Sequence, residues 1–437
     1  MKKNFPIYLF ILSAILFSCS ASYKINRSAN SDILKNQAFV SAHTGISIYD
    51  PEAKKYLYNY QGNKYFVPAS NTKLFTCYAA MKYLGDSISA FRYLETNDTI
   101  YVIPDGDPTF LGNDFSNQPA YDFLKNTNKI IVLNTELWSE RRWGNGWAWN
   151  DYNDDYSAER SVMPVYENLA TFDNGFNGIR VSPSYFSDKV TYQKSNSDKK
   201  SYASVERAIA SNNFFISGND SLRNAVQIPF FTANDSILKN ILEDTLHKRI
   251  YIKHTANEGA NTWKEIHSQS TDSLLKITMH RSDNFFAEQT LLLVSAKLLT
   301  EMNDEKIIDT LLKTDYDTLP LKPHWVDGSG LSHYNLFSPQ DFVILLSKMK
   351  NDFGMDRIKH ILPTGGTGTL RSYYKNEAGY IFAKTGSLSG VVALTGFLYT
   401  KKNKLLIFSV LINNHRSGGV EVRKAIEKFI ESVRDKN

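Results

Sequence analysis

The sequence predicts an α+β architecture, with one antiparallel sheet built from both ends of the chain, a helical block beside it and a large insertion between its early and late parts. Three observations carry this. Strand-like segments stand near the N-terminus, at 45–50 and 55–60, and again near the C-terminus, at 380–383, 391–399 and 405–414. The run from Ser70 to Leu84 is apolar almost all round, the pattern of a central, buried helix. From about 93 to 262 the chain turns polar and loop-rich, dense in Asn, Asp, Tyr and Trp.

In chain order, Lys2 and Lys3 precede an apolar run from Phe5 to Phe17 that ends at Leu16-Phe17-Ser18-Cys19. This is the pattern of an export signal, too short for a membrane span. Residues 1–19 are read as a lipoprotein-type signal with Cys19 as the lipidated residue. The protein is then exported, periplasmic and anchored to a bacterial membrane through its N-terminal lipid. Residues 20–31, rich in Ser, Asn and Ala, suit a tether. Two strands joined across Pro51 follow, and Val67-Pro68-Ala69 halts the sheet pattern. The buried helix then runs to a stop at Gly85. Helical stretches at Ser273–Met279 and Phe285–Leu299 form the central block. The last helix, Gly419–Val433, lines Val422, Ile426, Phe429, Ile430 and Val433 along one face. The catalytic unit is therefore assigned to 32–92 and 263–437, and an inserted accessory unit to 93–262.

Composition excludes several classes. A chain of 437 residues suits two packed units, and 42% hydrophobic with 13% aromatic content excludes disorder. Net charge is +5, and removing Lys2 and Lys3 leaves +3 with no basic stripe, which argues against a nucleic-acid partner. None of the nine histidines falls at metalloprotease spacing, so no metal and no cofactor is expected. Thr364-Gly365-Gly366-Thr367-Gly368 lacks the Lys-Ser/Thr of a phosphate loop and reads as a turn. Cys77 lies in an apolar run and reads as a small core residue.

Three short motifs carry the chemistry: Ser70-Asn71-Thr72-Lys73, Ser282-Asp283-Asn284 and Lys384-Thr385-Gly386. Ser70 opens the buried helix, so Lys73 lies one turn away on the same face. An amine there can take the Ser70 proton only when neutral. Free lysine titrates near ~10.4, so neutrality at pH 7 requires a fall of about 3, or ~4 kcal/mol. Burial and a second cation, Lys384, both push that way. The helix start makes the Ser70 N–H an oxyanion donor. Ser282 can relay a proton to the leaving amine and Asn284 can hold the substrate amide; Ser282 or Asp283 can also cap the following helix. Lys384-Thr385-Gly386 follows a strand whose edge can pair with a peptide. Lys384 and Thr385 can bind a free carboxylate, and Gly386 clears room for close approach.

Together these motifs resemble the D-alanyl-D-alanine carboxypeptidase/endopeptidase family, the class C low-molecular-mass penicillin-binding proteins. Phe66-Val67-Pro68-Ala69-Ser70, Gly106-Asp107-Pro108, Asp327-Gly328-Ser329-Gly330-Leu331-Ser332, Leu336 to Pro339 and Gly368-Thr369-Leu370-Arg371 extend the likeness from about Gly45 to the C-terminus. The resemblance implies a penicillin-binding/β-lactamase-like transpeptidase fold acting on peptidoglycan stem peptides, with β-lactam antibiotics as covalent inhibitors. It implies Ser70 as nucleophile, Lys73 as base, Ser282 and Asn284 as relay and substrate holder, and Lys384 and Thr385 as carboxylate anchors. It also implies the Ser387 N–H as second oxyanion donor. The 209 positions from Lys73 to Ser282 fit the family's large insertion, here smaller and richer in Trp than in its largest members. His333-Tyr334 replace the basic-polar pair expected there. No Glu between Asn284 and Lys384 begins a Glu-x-x-Leu-Asn loop, which argues against a β-lactamase. A non-catalytic wall-binding protein would have lost a motif member, and none is lost.

Overall fold

The structure, a computed structural model, describes residues 21–176, 178–194, 202–254 and 263–436. Residues 21–29 form helix α1, which continues into a π-turn at Asn30–Leu34. The expected tether over 20–31 is thus a packed element from residue 21 onward. Ile25, Ala29 and Ile33 recur every four residues and are buried, a short apolar stripe hidden in a polar composition. Cys19 and the rest of the expected export signal lie outside the described residues.

Strands β1 (His43–Asp50) and β2 (Lys55–Tyr60) pair as an antiparallel hairpin. A 3-10 turn at Ala69–Thr72 then feeds helix α2 (Lys73–Tyr83), buried from Lys73 through Met81. It ends at Gly85, whose φ of 72° is the left-handed conformation glycine adopts most easily.

The stretch that reads as loop-rich has sheets of its own. Strands β3 (Ser87–Glu95) and β4 (Thr99–Pro104) lead to α3 (Pro119–Asn126) and β5 (Ile130–Asn134). Next come β6 (Leu169–Gly175), β7 (Gly178–Ser182), β8 (Val190–Lys194), β9 (Ser204–Arg207), β10 (Phe214–Gly218) and β11 (Val226–Pro229). Helix α4 (Asp235–Leu246), β12 (Ile250–Lys253) and β13 (Lys264–Ser270) complete it. One mixed sheet has the order β12-β5-β4-β3-β13, and two three-stranded sheets run β11-β6-β7 and β8-β10-β9. Phe91, Leu133, Phe172, Phe214 and Ile241 share one core. The strands are short and their polar positions face water, which is why composition alone suggested loops. Because β3 pairs with β13, this sheet spans the boundaries expected at 92/93 and 262/263.

Helices α5 (Thr271–Ile277), α6 (Asn284–Leu299), α7 (Asp304–Lys313) and α8 (Pro339–Ile361) form the helical block. Strands β14 (Ile381–Leu388), β15 (Val391–Tyr399) and β16 (Leu405–Asn413) precede the last helix, α9 (Gly419–Lys436). The main sheet has the order β14-β15-β16-β1-β2 and is antiparallel throughout. His43 faces Asn413, so the two ends of the chain close one sheet. One face packs Phe397 and Leu411 against Phe75, Phe342 and Leu345 of α2 and α8. The other packs Leu394, Phe408 and Val410 against Ile25, Phe429 and Ile430 of α1 and α9. The strand β14 is left at an edge beside the N-terminus of α2.

If α1 is part of the core, Ile25→Ala should destabilise the protein by about 2–5 kcal/mol. A tether would leave it within ~0.5 kcal/mol of the parent. Denaturant unfolding of the two proteins distinguishes these outcomes.

Candidate active site

Ser70 sits in the 3-10 turn ahead of α2, partly exposed, while Lys73 one turn later is wholly buried. Two glycines grip the backbone that carries Ser70. A Cβ on Gly330 would lie 1.9 Å from the Ala69 carbonyl oxygen, and one on Gly386 would lie 2.6 Å from that of Pro68. The space beside Gly386, expected to admit substrate, is therefore filled by the chain's own turn. Ala69 is held at φ 48°, a conformation that L-residues other than Asn and Asp seldom adopt.

The Lys73 amine has three partners. Nζ lies 2.9 Å from Ser70 Oγ, 2.6 Å from Asn284 Oδ1 and 2.7 Å from the Ser329 carbonyl oxygen. The last two can only accept. They take two N–H bonds, which leaves the third direction, and in the neutral amine the lone pair, aimed at the Ser70 hydroxyl. Burial pushes the Lys73 pKa down to about 8, against the pull of Asp327, Asp283 and Glu288. No carboxylate forms an ion pair with it among the described residues.

Asp327 and Glu288 hold the Ser329 carbonyl in place. The buried Asp327 carboxylate accepts from the backbone N–H groups of Gly330 and Ser332, from Asn335 Nδ2, and from Trp147 Nε1 at 3.0 Å. Glu288 accepts from Ser329 N at 2.7 Å and faces Arg160, which also meets Glu140 and Asp304. Burial and the Asp327 charge raise the Glu288 pKa. In the sequence the Asp327–Ser332 segment carries family resemblance without a role of its own, Trp147 is one of the tryptophans that mark the insertion, and Glu288 begins no deacylation motif. Arg160 carries no sequence signal.

A π-turn at Thr278–Ser282 delivers the second motif, with Ser282 at φ 61°. Asp283, not Ser282, caps α6, accepting from Phe286 N at 2.7 Å. That frees the Ser282 hydroxyl, which accepts from Lys384 Nζ at 2.7 Å. Lys384 also donates to the Thr385 carbonyl oxygen at 2.8 Å and is wholly buried. Burial and the Lys73 charge hold its pKa well below the lysine range. Asn284 turns its carbonyl to Lys73 and donates through Nδ2 to the Tyr156 carbonyl oxygen at 2.9 Å, leaving one amide hydrogen for substrate. Arg281 ties this turn to Asp283, Asp114 and Glu167.

The structure thus joins Ser70, Lys73 and Asn284 directly and places Ser282 on Lys384. It does not bring Lys384 and Thr385 to one face. Side chains alternate along a strand, so Lys384 and Gly386 face the α2 turn, whereas Thr385 and Ser387 face α9. The Ala383 N–H donates outward to Pro363 O at 3.1 Å, and by the same alternation the N–H groups of Thr385 and Ser387 point off the open edge of β14. Ser387 Oγ accepts from Arg423 Nη2 of α9 at 2.8 Å. Cys77 is buried, and that burial drives its thiol pKa far up, so it is an inert core residue.

Comparison with known proteins follows from this geometry. Residues 27–433 match the model of the D-Ala-D-Ala carboxypeptidase 3 (S13) family. The chain is 23% identical to the penicillin-sensitive carboxypeptidase A of Dictyostelium discoideum, over 98% of both chains. It is 22% identical to the D-alanyl-D-alanine carboxypeptidase DacB of Haemophilus influenzae, over 97% of this chain and 96% of the relative. The crystal structure of penicillin binding protein 4 from Haemophilus influenzae superposes with a TM-score of 0.72 at 21% identity, covering 93% of this chain and 97% of that one. The fold is shared across nearly the whole chain.

If Lys73 is the base for Ser70, it works above its pKa, so Ser70 acylation should rise with pH through about 8 and level off beyond it. Asn284→Asp sets a carboxylate against the amine and favours its charged form. The midpoint should then move upward by roughly one pH unit or more. Stopped-flow acylation rates between about pH 6 and pH 10 check both; an unmoved midpoint in the Asp variant would contradict the geometry.

Proposed function

Because the chain belongs to the D-Ala-D-Ala carboxypeptidase 3 (S13) family and is a serine-type D-Ala-D-Ala carboxypeptidase, we propose that Ser70 is its nucleophile and Lys73 the base that activates it. The observation that carries this assignment is the Lys73 amine, which has two carbonyl acceptors and one hydroxyl within 2.9 Å. Ser70 Oγ attacks the carbonyl of the penultimate D-alanine as its proton passes to Lys73 Nζ. The oxyanion is met by the N–H groups of Ser70 and Ser387, each donor of this kind being worth about 10²–10³ in rate. The proton taken up by Lys73 is returned to the departing D-alanine amine through the Ser282 hydroxyl, which gives its own proton and regains that one while held by Lys384. Water then cleaves the Ser70 ester. Asn284 positions Lys73 through its carbonyl and offers its free amide hydrogen to the stem peptide.

A β-lactam presents a strained amide to the same hydroxyl, and the acyl-enzyme it forms is the inhibited state. The natural substrates are peptidoglycan stem peptides, and the same chemistry extends to D-Ala cross-links, an endopeptidase activity. The inserted unit, bounded by β3 and β13, buttresses the cleft through Trp147, Tyr156 and Arg160. Among the described residues no helix is long and apolar enough to cross a membrane. Anchoring in the periplasm rests on the Cys19 sequence pattern and a lipid attached there.

Fluorescent penicillin should label the protein durably, and Ser70→Ala should lose the label along with D-alanine release. A label that decays within minutes would favour a β-lactamase, and no label on the parent a wall-binding protein. Labelling of the Ala variant at another serine would remove Ser70 from the mechanism. Separately, Cys19→Ala should move the protein from the membrane fraction to the soluble one. Unchanged partition would refute lipid attachment while leaving the catalytic assignment standing.

A further inference from the structure

The substrate's free carboxylate needs a cation, and the strand's own lysine is badly placed to supply it. Lys384 is wholly buried, and its amine is engaged by Ser282 Oγ and the Thr385 carbonyl on the α2 side of β14. On the other side, α9 brings up Arg423. Buried Val422 and Ile426 fix that turn of helix against β15, and the guanidinium reaches the open edge, donating to Ser387 Oγ at 2.8 Å. Arg423 and Thr385 also line one shallow hollow, with Tyr373 and Leu394 beside them. Among the described residues no carboxylate lies within ion-pair distance of Arg423.

The reach of the substrate points to the same spot. With the scissile carbonyl at Ser70 and its oxyanion on the Ser387 N–H, the terminal carboxylate lies one residue further on, roughly 3.5 Å along the chain. That falls beside Thr385 and Ser387, whose hydroxyls share the α9 face. A guanidinium carries a planar fork of donors that matches a carboxylate with two parallel bonds and keeps its charge at any physiological pH.

We propose that Arg423, with the Thr385 hydroxyl, binds the C-terminal carboxylate of the substrate and sets the preference for acid over amide termini. This rests on the carboxypeptidase reading above and assigns the carboxylate to a residue outside the three motifs. Lys384 is left to hold Ser282.

The test uses the full chain with diacetyl-L-Lys-D-Ala-D-Ala and its C-terminal amide, measuring D-alanine and D-alaninamide release. Arg423→Gln should raise KM for the acid roughly 10- to 100-fold with kcat little changed, as expected for loss of a charge-assisted contact. The amide should be unaffected, which also shows the variant is folded, and Arg423→Lys should fall between. Equal losses on acid and amide, or parental KM for the acid, would overturn the inference while D-alanine release by the parent still upheld the reading. Failure of the parent to release D-alanine would overturn both.

Discussion

A lysine amine taken wholly out of water without a carboxylate beside it is driven toward its neutral form, and the cleft is arranged around that fact. For Lys73, moving from the lysine range to about 8 corresponds to roughly 3 kcal/mol of bias against the ammonium. The bias is useful only if the lone pair points at the nucleophile. Asn284 Oδ1 and the Ser329 carbonyl fix that direction by accepting from the same nitrogen. Gly330 and Gly386 then allow the Ser70 turn to sit close enough for Ser70 Oγ to occupy the remaining position.

Both acceptors are tied to residues lying between β3 and β13, outside the main sheet, as well as to the helical block. Trp147 donates to Asp327, which knots the loop bearing Ser329, and Tyr156 accepts from Asn284. Arg160 bridges Glu140 of the insertion to Glu288 and Asp304 of the helical block. A single buried guanidinium among three carboxylates is a poor source of net stability, but removing it would strand buried charge at a cost of about 3–5 kcal/mol. Its effect is to fix one arrangement of insertion and cleft.

The main sheet was legible in the sequence because β1 and β2 alternate near one end of the chain, while β15 and β16 near the other are short apolar runs bounded by polar turns and buried on both faces. The three motifs were legible because Ser70, Lys73, Ser282 and Asn284 stand at or beside element boundaries, where sequence signals are strongest, and Lys384 follows the apolar start of a strand. What escaped was long-range or masked by composition. Ile25, Ala29 and Ile33 form too short a stripe to stand out among Ser and Asn. Asp327, Glu288 and Arg160 acquire meaning only when distant segments meet. Arg423 is an ordinary charged residue on an amphipathic helix until α9 is laid against β15. The division of Lys384 and Thr385 between two faces was implicit in strand alternation, yet the motif groups them and hides it.

The most direct test is the titration of Lys73 itself, followed by nuclear magnetic resonance in protein carrying isotope-labelled lysine and assigned by difference against Lys73→Arg. The geometry and burial described above require the Lys73 amine to titrate near 8 in the free enzyme. A Lys73 signal that stays charged to above ~10, where an exposed lysine titrates, would contradict the assignment of Lys73 as the base.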